Sequence, residues 1–446
     1  MLQNCFLICN NNIDCLKKYN KISLDYNNTY LFYNKINMRI FENSKNQKIY
    51  ILGTYFFGNK KYDDTIFNDI NEENINNILS SIIGTYVVIY NNYLYMDCSG
   101  QIGLEYMYIK NRCYITNNVS VLKNLNFKLK NKFKLKKNKL KLKSHPTNTI
   151  DSESIDTNKS KSYKYKFYIP PETQFLNVKR LLPRQIISLD GKIKHNNIIH
   201  YSSGNCLKNT DDIINLCVEY LQTVIKKIYE QCKQTNNTIY VPLTAGYDSR
   251  VILAVCKSIN IPVKTFTIKR NKVISNADKK IPPILSKACS YPHFFVNVKL
   301  NKGNINKKLL KKWNYIIGRN HTGVDREYYV RNVYSFAKSG DFILTGHSFE
   351  ISTYFYKNEI ISKWKKRNDI SMGDRLYFEG QLPMVGYINS SFIIGQNINR
   401  MFPINCRDIL CNLINLPRSI RENARKNVNK HLVDILAPNL NNYKYN

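Results

Sequence analysis

The stretch Val241-Pro-Leu-Thr-Ala-Gly-Tyr-Asp-Ser-Arg250 decides how the chain is read. Thr238-Ile-Tyr-Val241, at its start, is β-branched and apolar, as in a strand. Ser249 to Ile259, at its end, carries apolar residues at helical spacing, and Val263-Lys-Thr-Phe-Thr-Ile268 is strand-like again. Strand, loop, helix and strand in such short succession imply two parallel strands joined by a crossover helix. Ligands of parallel sheets sit beyond the carboxyl ends of the strands, and the loop Leu243 to Asp248 lies at such an end.

The loop has the chemistry of an anion cradle. Thr244 and Ser249 offer hydroxyls, Gly246 lets backbone N–H groups approach a phosphate, and the following helix adds the positive end of its dipole. The G-x-x-x-x-G-K-[ST] pattern of a Walker loop and its lysine are missing. Asp248 would be repelled by a phosphate unless a cation stood between them, and Mg²⁺ on pyrophosphate is the natural one. The structural alternative for Asp248 is an N-cap of a helix beginning at Ser249.

Outward from the loop, Asp211 to Lys233 places Ile214, Cys217, Leu221, Val224, Ile225 and Ile228 at helical spacing behind a Thr210/Asp211 cap. Up to about residue 120 the text is instead strand-like. Tyr86–Tyr90 and Tyr93–Met96 flank Asn91-Asn92 as a hairpin, and Tyr106–Ile109 and Cys113–Thr116 flank Lys110-Asn-Arg112 as a second. Asn74 to Ile83 has helical spacing, with Ile75, Ile78, Ile82 and Ile83 on one side. Strands return at Phe167-Tyr-Ile169 and Arg184–Leu189, the latter closed by an Asp190-Gly191 turn. Between them, residues 123–166 form a Lys-rich insertion. The expected domains are 1–205 and 206–446.

Composition sets the outer bounds. A chain of 446 residues with 43% hydrophobic residues has material for packed cores in two domains. Its net charge of +35 has two readings: a nucleic-acid or anionic partner, or a compositional bias toward Lys, Asn, Ile and Tyr. Twelve cysteines without CxxC spacing indicate buried thiols in a reducing compartment rather than a zinc or dithiol site. The start Met1-Leu-Gln-Asn-Cys-Phe-Leu-Ile-Cys9 lacks a basic, apolar signal pattern, and no apolar stretch is long enough to span a bilayer. The expected location is the cytoplasm, with no membrane partner.

The loop resembles the S-G-G-x-D-S pyrophosphate loop of the ATP pyrophosphatases, specifically asparagine synthetase and relatives such as beta-lactam synthetase. Leu243 leads the motif, Thr244 stands at its serine, Ala245 at its first glycine and Tyr247 at its variable position, while Gly246, Asp248 and Ser249 match. Thr265-Phe-Thr-Ile268 is similar to the family strand whose backbone holds adenine, which implies nucleotide contacts at Thr267 and Ile268. Ser275-Asn-Ala-Asp278 through Ala288 to His293 resembles the family's acidic, alanine-containing stretch. Ile343-Leu-Thr-Gly-His-Ser-Phe-Glu350 aligns with the L-S-G-x-G-x-D segment, with Gly346 in register and Glu350 at a magnesium-binding aspartate. The implied cofactors are ATP and Mg, with Asp248 and Glu350 as metal ligands within about 4–6 Å of each other.

The resemblance extends to the first half. Ile83-Gly-Thr-Tyr-Val-Val-Ile89, Asp97-Cys-Ser-Gly100 and Val178-Lys-Arg-Leu-Leu-Pro183 are similar to segments of the family's glutaminase domain. The implied fold class is α/β and α+β: an N-terminal glutaminase-like (N-terminal nucleophile hydrolase) β-sandwich, followed by a parallel-sheet ATP-pyrophosphatase (adenine nucleotide alpha hydrolase-like) domain. Glutamine-using members place a nucleophilic cysteine directly after the initiator Met; this chain has Leu2, and Cys5 would need four residues removed. Glutaminase activity is therefore expected to be absent.

The implied activity is an AMP-forming carbon-nitrogen ligase acting on a small-molecule carboxylate and an amine or ammonia. Asp248 is its catalytic metal-binding residue, and Arg400, before Met401-Phe-Pro403, matches a basic position that would stabilise developing charge. Lys426, Lys430 and Lys444 are C-terminal lysines without a motif to choose among them. Arg375 and Glu379 are substrate contacts or a surface ion pair, and His347 lies inside the metal segment as a structural or catalytic histidine. The rival class is a non-catalytic or RNA-binding descendant of the same fold, supported by Leu2, Ala245, Glu350 and the basic charge.

Overall fold

The computed structural model describes residues 5–10, 13, 16, 18–121, 171–173, 177–183, 185–195, 207, 209–270, 274–298, 307–308, 333–352, 374, 376–383, 397–421 and 428–445. The Lys-rich stretch, the strand expected at Phe167–Ile169 and the domain boundary expected near residue 205 lie outside the described residues.

In chain order the first half contains β1 (Cys5–Cys9), β2 (Asn20–Ser23), β3 (Tyr30–Asn34), β4 (Met38–Glu42) and β5 (Lys48–Phe57). Helix α1 (Ile75–Ser80), β6 (Ile82–Tyr90), β7 (Tyr93–Met96), β8 (Glu105–Ile109) and β9 (Arg112–Thr116) follow. The last strands of this half are β10 (Lys179–Arg180), β11 (Gln185–Ser188) and β12 (Ile193–His195). They form two six-stranded antiparallel sheets, ordered β10-β8-β9-β1-β3-β2 and β12-β11-β7-β6-β5-β4.

Alternation along the strands decides which face meets what. Phe6 and Ile8 of β1 share a buried core with Leu52, Val87 and Ile89 of the other sheet, so the sheets pack face to face as a sandwich. Ile49 and Ile51 point the other way, onto Ile75, Ile78 and Leu79 of α1. Both expected hairpins form. Asn91 and Asn92 take left-handed φ of 42° and 69°, which asparagine tolerates and which matches the strand twist. The second turn is tighter than expected: only Lys110 and Asn111 are left-handed, and Arg112 belongs to β9. The helix expected to run to Ile83 stops at Ser80, because Ile82 and Ile83 pair with Phe57 and Phe56 of β5. A short apolar run suits either state, and here the ladder decides.

The second half contains α2 (Thr210–Thr235), β13 (Ile239–Pro242), α3 (Tyr247–Ser258), β14 (Lys264–Arg270), α4 (Asn276–Ala288) and β15 (His293–Val298). Then come β16 (Phe342–Leu344), β17 (Asn399–Met401), α5 (Arg407–Ile414), α6 (Arg418–Arg421) and α7 (Lys430–Leu436). The N-cap of α2 is Asn209, whose side chain accepts from the Asp211 N–H, so the expected Thr210/Asp211 cap lies inside the first turn.

The five strands among the described residues of this half form one sheet ordered β15-β14-β13-β16-β17, with every pairing parallel. The chain runs from β13 outward through β14 and β15, then returns to the other side of β13 for β16 and β17. The order reverses between β13 and β16, which is where a doubly wound sheet opens a crevice for a ligand. Ile239, Val241, Phe342 and Leu344 face the helices, in one cluster with Leu221 of α2 and Val251 of α3. Tyr240, Phe266 and Ile343 face the opposite way, onto Leu7, Phe32 and Tyr114 of the sandwich. No helix among the described residues is long and apolar enough to cross a membrane.

Candidate functional site

The loop after β13 leaves the sheet at the reversal point. Its first residue is fixed to β14: the Leu243 N–H donates to the Phe266 carbonyl at 2.8 Å, and Thr267 Oγ1 donates to the Leu243 carbonyl at 2.6 Å. Thr267, expected beside adenine, thus uses its buried side chain to hold the loop, while Ile268 continues β14 half-buried. Thr244 is exposed at the tip. Its N–H donates to Ser249 Oγ at 3.1 Å, its own hydroxyl lies 3.0 Å from that oxygen, and the Gly246 N–H donates to Thr244 Oγ1 at 3.2 Å. The Ala245 side chain is buried, and its N–H donates to Asp278 Oδ1 at 2.7 Å.

The amides at positions 244 to 246 therefore already have protein acceptors. Helix α3 begins at Tyr247, two residues earlier than the sequence suggests, and its N-cap makes no side-chain hydrogen bond. Its N-cap is Gly246, which has no side chain to offer the first-turn N–H groups. Asp248 is the second residue of the helix, so the reading of it as an N-cap is corrected.

Gly346 follows β16 and lies against this helix start. A Cβ at 346 would sit 2.4 Å from the Asp248 carbonyl oxygen and 2.5 Å from its carbon. Only glycine permits that approach, so the strand-end segment aligned by its L-x-G pattern does meet the loop. The Thr345 N–H donates to the Met401 carbonyl at 3.0 Å and ties the segment to β17.

Glu350 lies four residues beyond Gly346, with its side chain mostly buried. Its Oε2 accepts from the Ser348 N–H at 2.8 Å and from the Tyr377 hydroxyl at 3.1 Å, and Oε1 is 3.7 Å from His347 Nδ1. These donors orient the carboxylate inward rather than into solvent. Glu379 is also buried, so it is not half of a surface ion pair; Arg375 lies outside the described residues. Arg400 sits in β17 in register with Ile343, one residue below the carboxyl edge of β16, its guanidinium 5.7 Å from the Phe402 ring.

Three further contacts come from far along the chain. Asn429 Nδ2 donates to Asp248 Oδ1 at 2.7 Å. Tyr445 stacks on Tyr247 with ring centroids 4.0 Å apart. Arg250 is fully buried: Nη1 donates to the carbonyls of Leu440 and Tyr443, and Nη2 to those of Ala245 and Lys444. Its guanidinium lies 3.5 Å from the centre of the Tyr445 ring, and burial lowers its pKa. Lys444 thus reaches the loop through its backbone, whereas Lys430 is exposed at the start of α7. Arg250 could have been noticed as a charge on the apolar face of α3; nothing in the sequence links Asn429 or Tyr445 to the loop.

In the first half, Cys5 opens β1 and is fully buried, and burial pushes its thiol up to about 12. A thiol so poor at forming thiolate is a weak nucleophile. The ten described cysteines are all buried, and none is in a disulfide.

No protein-family model matches the sequence, and no curated protein matches it. Among solved structures, the chain is similar to NMN synthetase from Francisella tularensis at 8% identity and a TM-score of 0.22, over 52% of this chain and 94% of that one. It is similar to the U34-tRNA thiolase NcsA from Methanococcus maripaludis, with its 4Fe-4S cluster, at 12% identity and a TM-score of 0.21, over 50% and 81%. It is also similar to glutamine phosphoribosylpyrophosphate amidotransferase from B. subtilis complexed with ADP and GMP, at 9% identity and a TM-score of 0.23, over 79% and 71%.

Proposed function

We propose that the chain is an ATP-dependent, AMP-forming ligase of the asparagine-synthetase type, joining a small-molecule carboxylate to ammonia or an amine. One observation carries this: an uncapped helix N-terminus bearing Asp248, at the order reversal of a parallel sheet, pressed against Gly346 from the neighbouring strand end. The uncapped turn suits a phosphate, and Asp248 beside it suits a phosphate that carries a cation.

The α3 first turn and Ser249 would hold the pyrophosphate of ATP, with Asp248 and Glu350 on Mg²⁺ and Arg400 facing the charge that develops on the reacting phosphate. Magnesium would neutralise the phosphate oxygens and orient the pyrophosphate leaving group. A carboxylate is a poor acyl donor, so AMP is first attached to it with release of pyrophosphate, and the amine then displaces AMP. Incubation with mixed carboxylates, amines and Mg-ATP tests this by product identity. AMP and pyrophosphate in equal amounts support it; ADP and phosphate, or no turnover with any mixture, count against it.

A second reading, a descendant that no longer turns ATP over, is favoured by the internal capture of the amides at 244, 245 and 246. Asp278 is the key to it, because its carboxylate occupies an N–H that a phosphate would otherwise take. The same experiment separates the two, since the descendant would bind ATP without forming AMP.

A further inference from the structure

Arg407 opens α5 and is 6% exposed, yet its guanidinium has no hydrogen-bond or ion-pair partner among the described residues. Nε and Nη1 are closed off from solvent without an acceptor, while Nη2 is not closed off. Burying an unpaired charge is strongly unfavourable, because the water it loses is replaced by nothing that answers the charge. Its place adds to this. As the first residue of a helix, Arg407 stands at the positive end of the dipole, where cations are disfavoured.

The surroundings are the seam between the two halves. Just before Arg407, Asn405 Nδ2 donates to the Gly84 carbonyl at 2.6 Å and to Asp97 Oδ1 at 3.0 Å, and its Oδ1 accepts from the Ser99 hydroxyl at 2.6 Å. Cys406 Sγ donates to the Ser80 carbonyl at 3.0 Å. Burial raises the Tyr86 hydroxyl and the Cys98 thiol, and in both the charge of Arg407 works against that rise, so the guanidinium lies near these two side chains of the first half. The nearby carboxylates are engaged elsewhere. Asp97 also accepts from the N–H groups of Gln101 and Ile102, and Asp408 Oδ2 accepts from the Tyr220 hydroxyl at 2.8 Å.

A guanidinium that has lost most of its water, keeps one nitrogen open and pairs with no carboxylate of its own protein is set to take an anion from outside. We propose that Arg407 binds a small oxyanion, a carboxylate or a phosphate, at Nη2 in the seam between the sandwich and the parallel sheet. Guanidinium N–H groups are the donors that such oxygens match, and the attraction is strong where little water screens it. Because Nε and Nη1 are closed off, the ligand meets Nη2 with one oxygen rather than through the two-point fork of an open arginine. Neutralising Arg407 would firm the seam that Asn405 and Cys406 make beside it. The site does not depend on the loop's binding ATP.

The test melts the full-length wild type, R407M and Asp248→Asn at constant ionic strength while sodium chloride is replaced stepwise by sodium acetate or by inorganic phosphate. The wild-type melting temperature should rise and saturate with at least one of the two. That saturating rise should be lost, or shifted at least about tenfold in concentration, in R407M and kept in Asp248→Asn. Saturation with acetate alone assigns a carboxylate ligand, and saturation with phosphate alone a phosphate. Phosphate also stabilises folded proteins in general, without saturation and in every variant, so the difference between wild type and R407M is the readout. An equal rise in R407M overturns the proposal, as does a wild type that saturates with neither anion. A rise lost in Asp248→Asn but kept in R407M places the anion at the loop and overturns it too. If R407M does not fold, hydrogen–deuterium exchange of the wild type decides. The anion should slow exchange over residues 82–90 and 404–414, and unchanged exchange there overturns the proposal.

Discussion

Tyr445 lies flat on Tyr247, with ring planes 10° from parallel, and so ties the end of the described chain to the first residue of the helix that bears Asp248. Arg250 lies against the same tyrosine and donates to three carbonyls of the C-terminal segment and one of the loop. The loop and the C-terminus are therefore one packed unit. Arg250→Met would leave those carbonyls without their donor, and a loss on the order of 3 kcal/mol is expected in urea unfolding. Tyr445→Ala should cost about 1–2 kcal/mol by losing the stack and the cation–π contact. The double variant should cost less than the sum, since the two side chains share a contact. Full additivity would show that they act apart.

Gly346→Ala tests the contact between the strand-end segment and the loop. The new methyl would fall 2.4 Å from the Asp248 carbonyl oxygen, which is backbone and cannot swing aside. A destabilisation of about 1–3 kcal/mol is expected, together with weaker ATP binding in the molecules that still fold. Wild-type affinity and stability in this variant would show that Gly346 is not in contact with the loop.

The β13–loop–α3 unit and the hairpin at Asn91-Asn92 are legible in the sequence because each rests on local chemistry: apolar periodicity, a glycine, and turn residues that tolerate positive φ. Gly346 is legible through its pattern, although not the reason for it. The helix start at Tyr247 is not, because Gly246 can cap a helix only weakly and the signal of Asp248 as a cap competes with it. Asn429, Tyr445 and the C-terminal carbonyls that receive Arg250 are invisible because their partners stand 181 to 198 positions away, as the numbering of each pair shows. No period or propensity spans that distance. Asp278 is seen only as part of an acidic stretch; its bond to the Ala245 amide depends on where α4 begins.

Asp97 predicts a pH dependence. It is fully buried, and burial pushes its carboxyl up from 3.8 to about 6 even though Asn405 Nδ2 and the N–H groups of Gln101 and Ile102 donate to it. A raised folded pKa means that the folded state holds the proton longer. The stabilisation is fully present below 3.8 and is lost as pH rises through about 6. The stability of the wild type relative to Asp97→Asn should therefore fall by on the order of 3 kcal/mol between about pH 4 and pH 7. A difference independent of pH would contradict a carboxyl raised by burial at Asp97.

Glutamine should not be hydrolysed. Cys5 is buried with its thiol raised to about 12, which leaves it a weak nucleophile. Folded protein should also resist alkylation at Cys5 until it is denatured. Glutamate release by the unprocessed chain would reverse this conclusion.

The role proposed for Asp248, at the start of α3, is to carry the metal of ATP. It is tested most directly by equilibrium ATP binding to the wild type and to Asp248→Asn, each across a magnesium series, with melting curves to show that both are folded. Asn is close to Asp in shape and can still meet Asn429, so the fold should persist. Wild-type affinity is expected to rise with magnesium, and this rise to be lost or shifted by about tenfold or more in the variant. An identical magnesium dependence in the two proteins would contradict it.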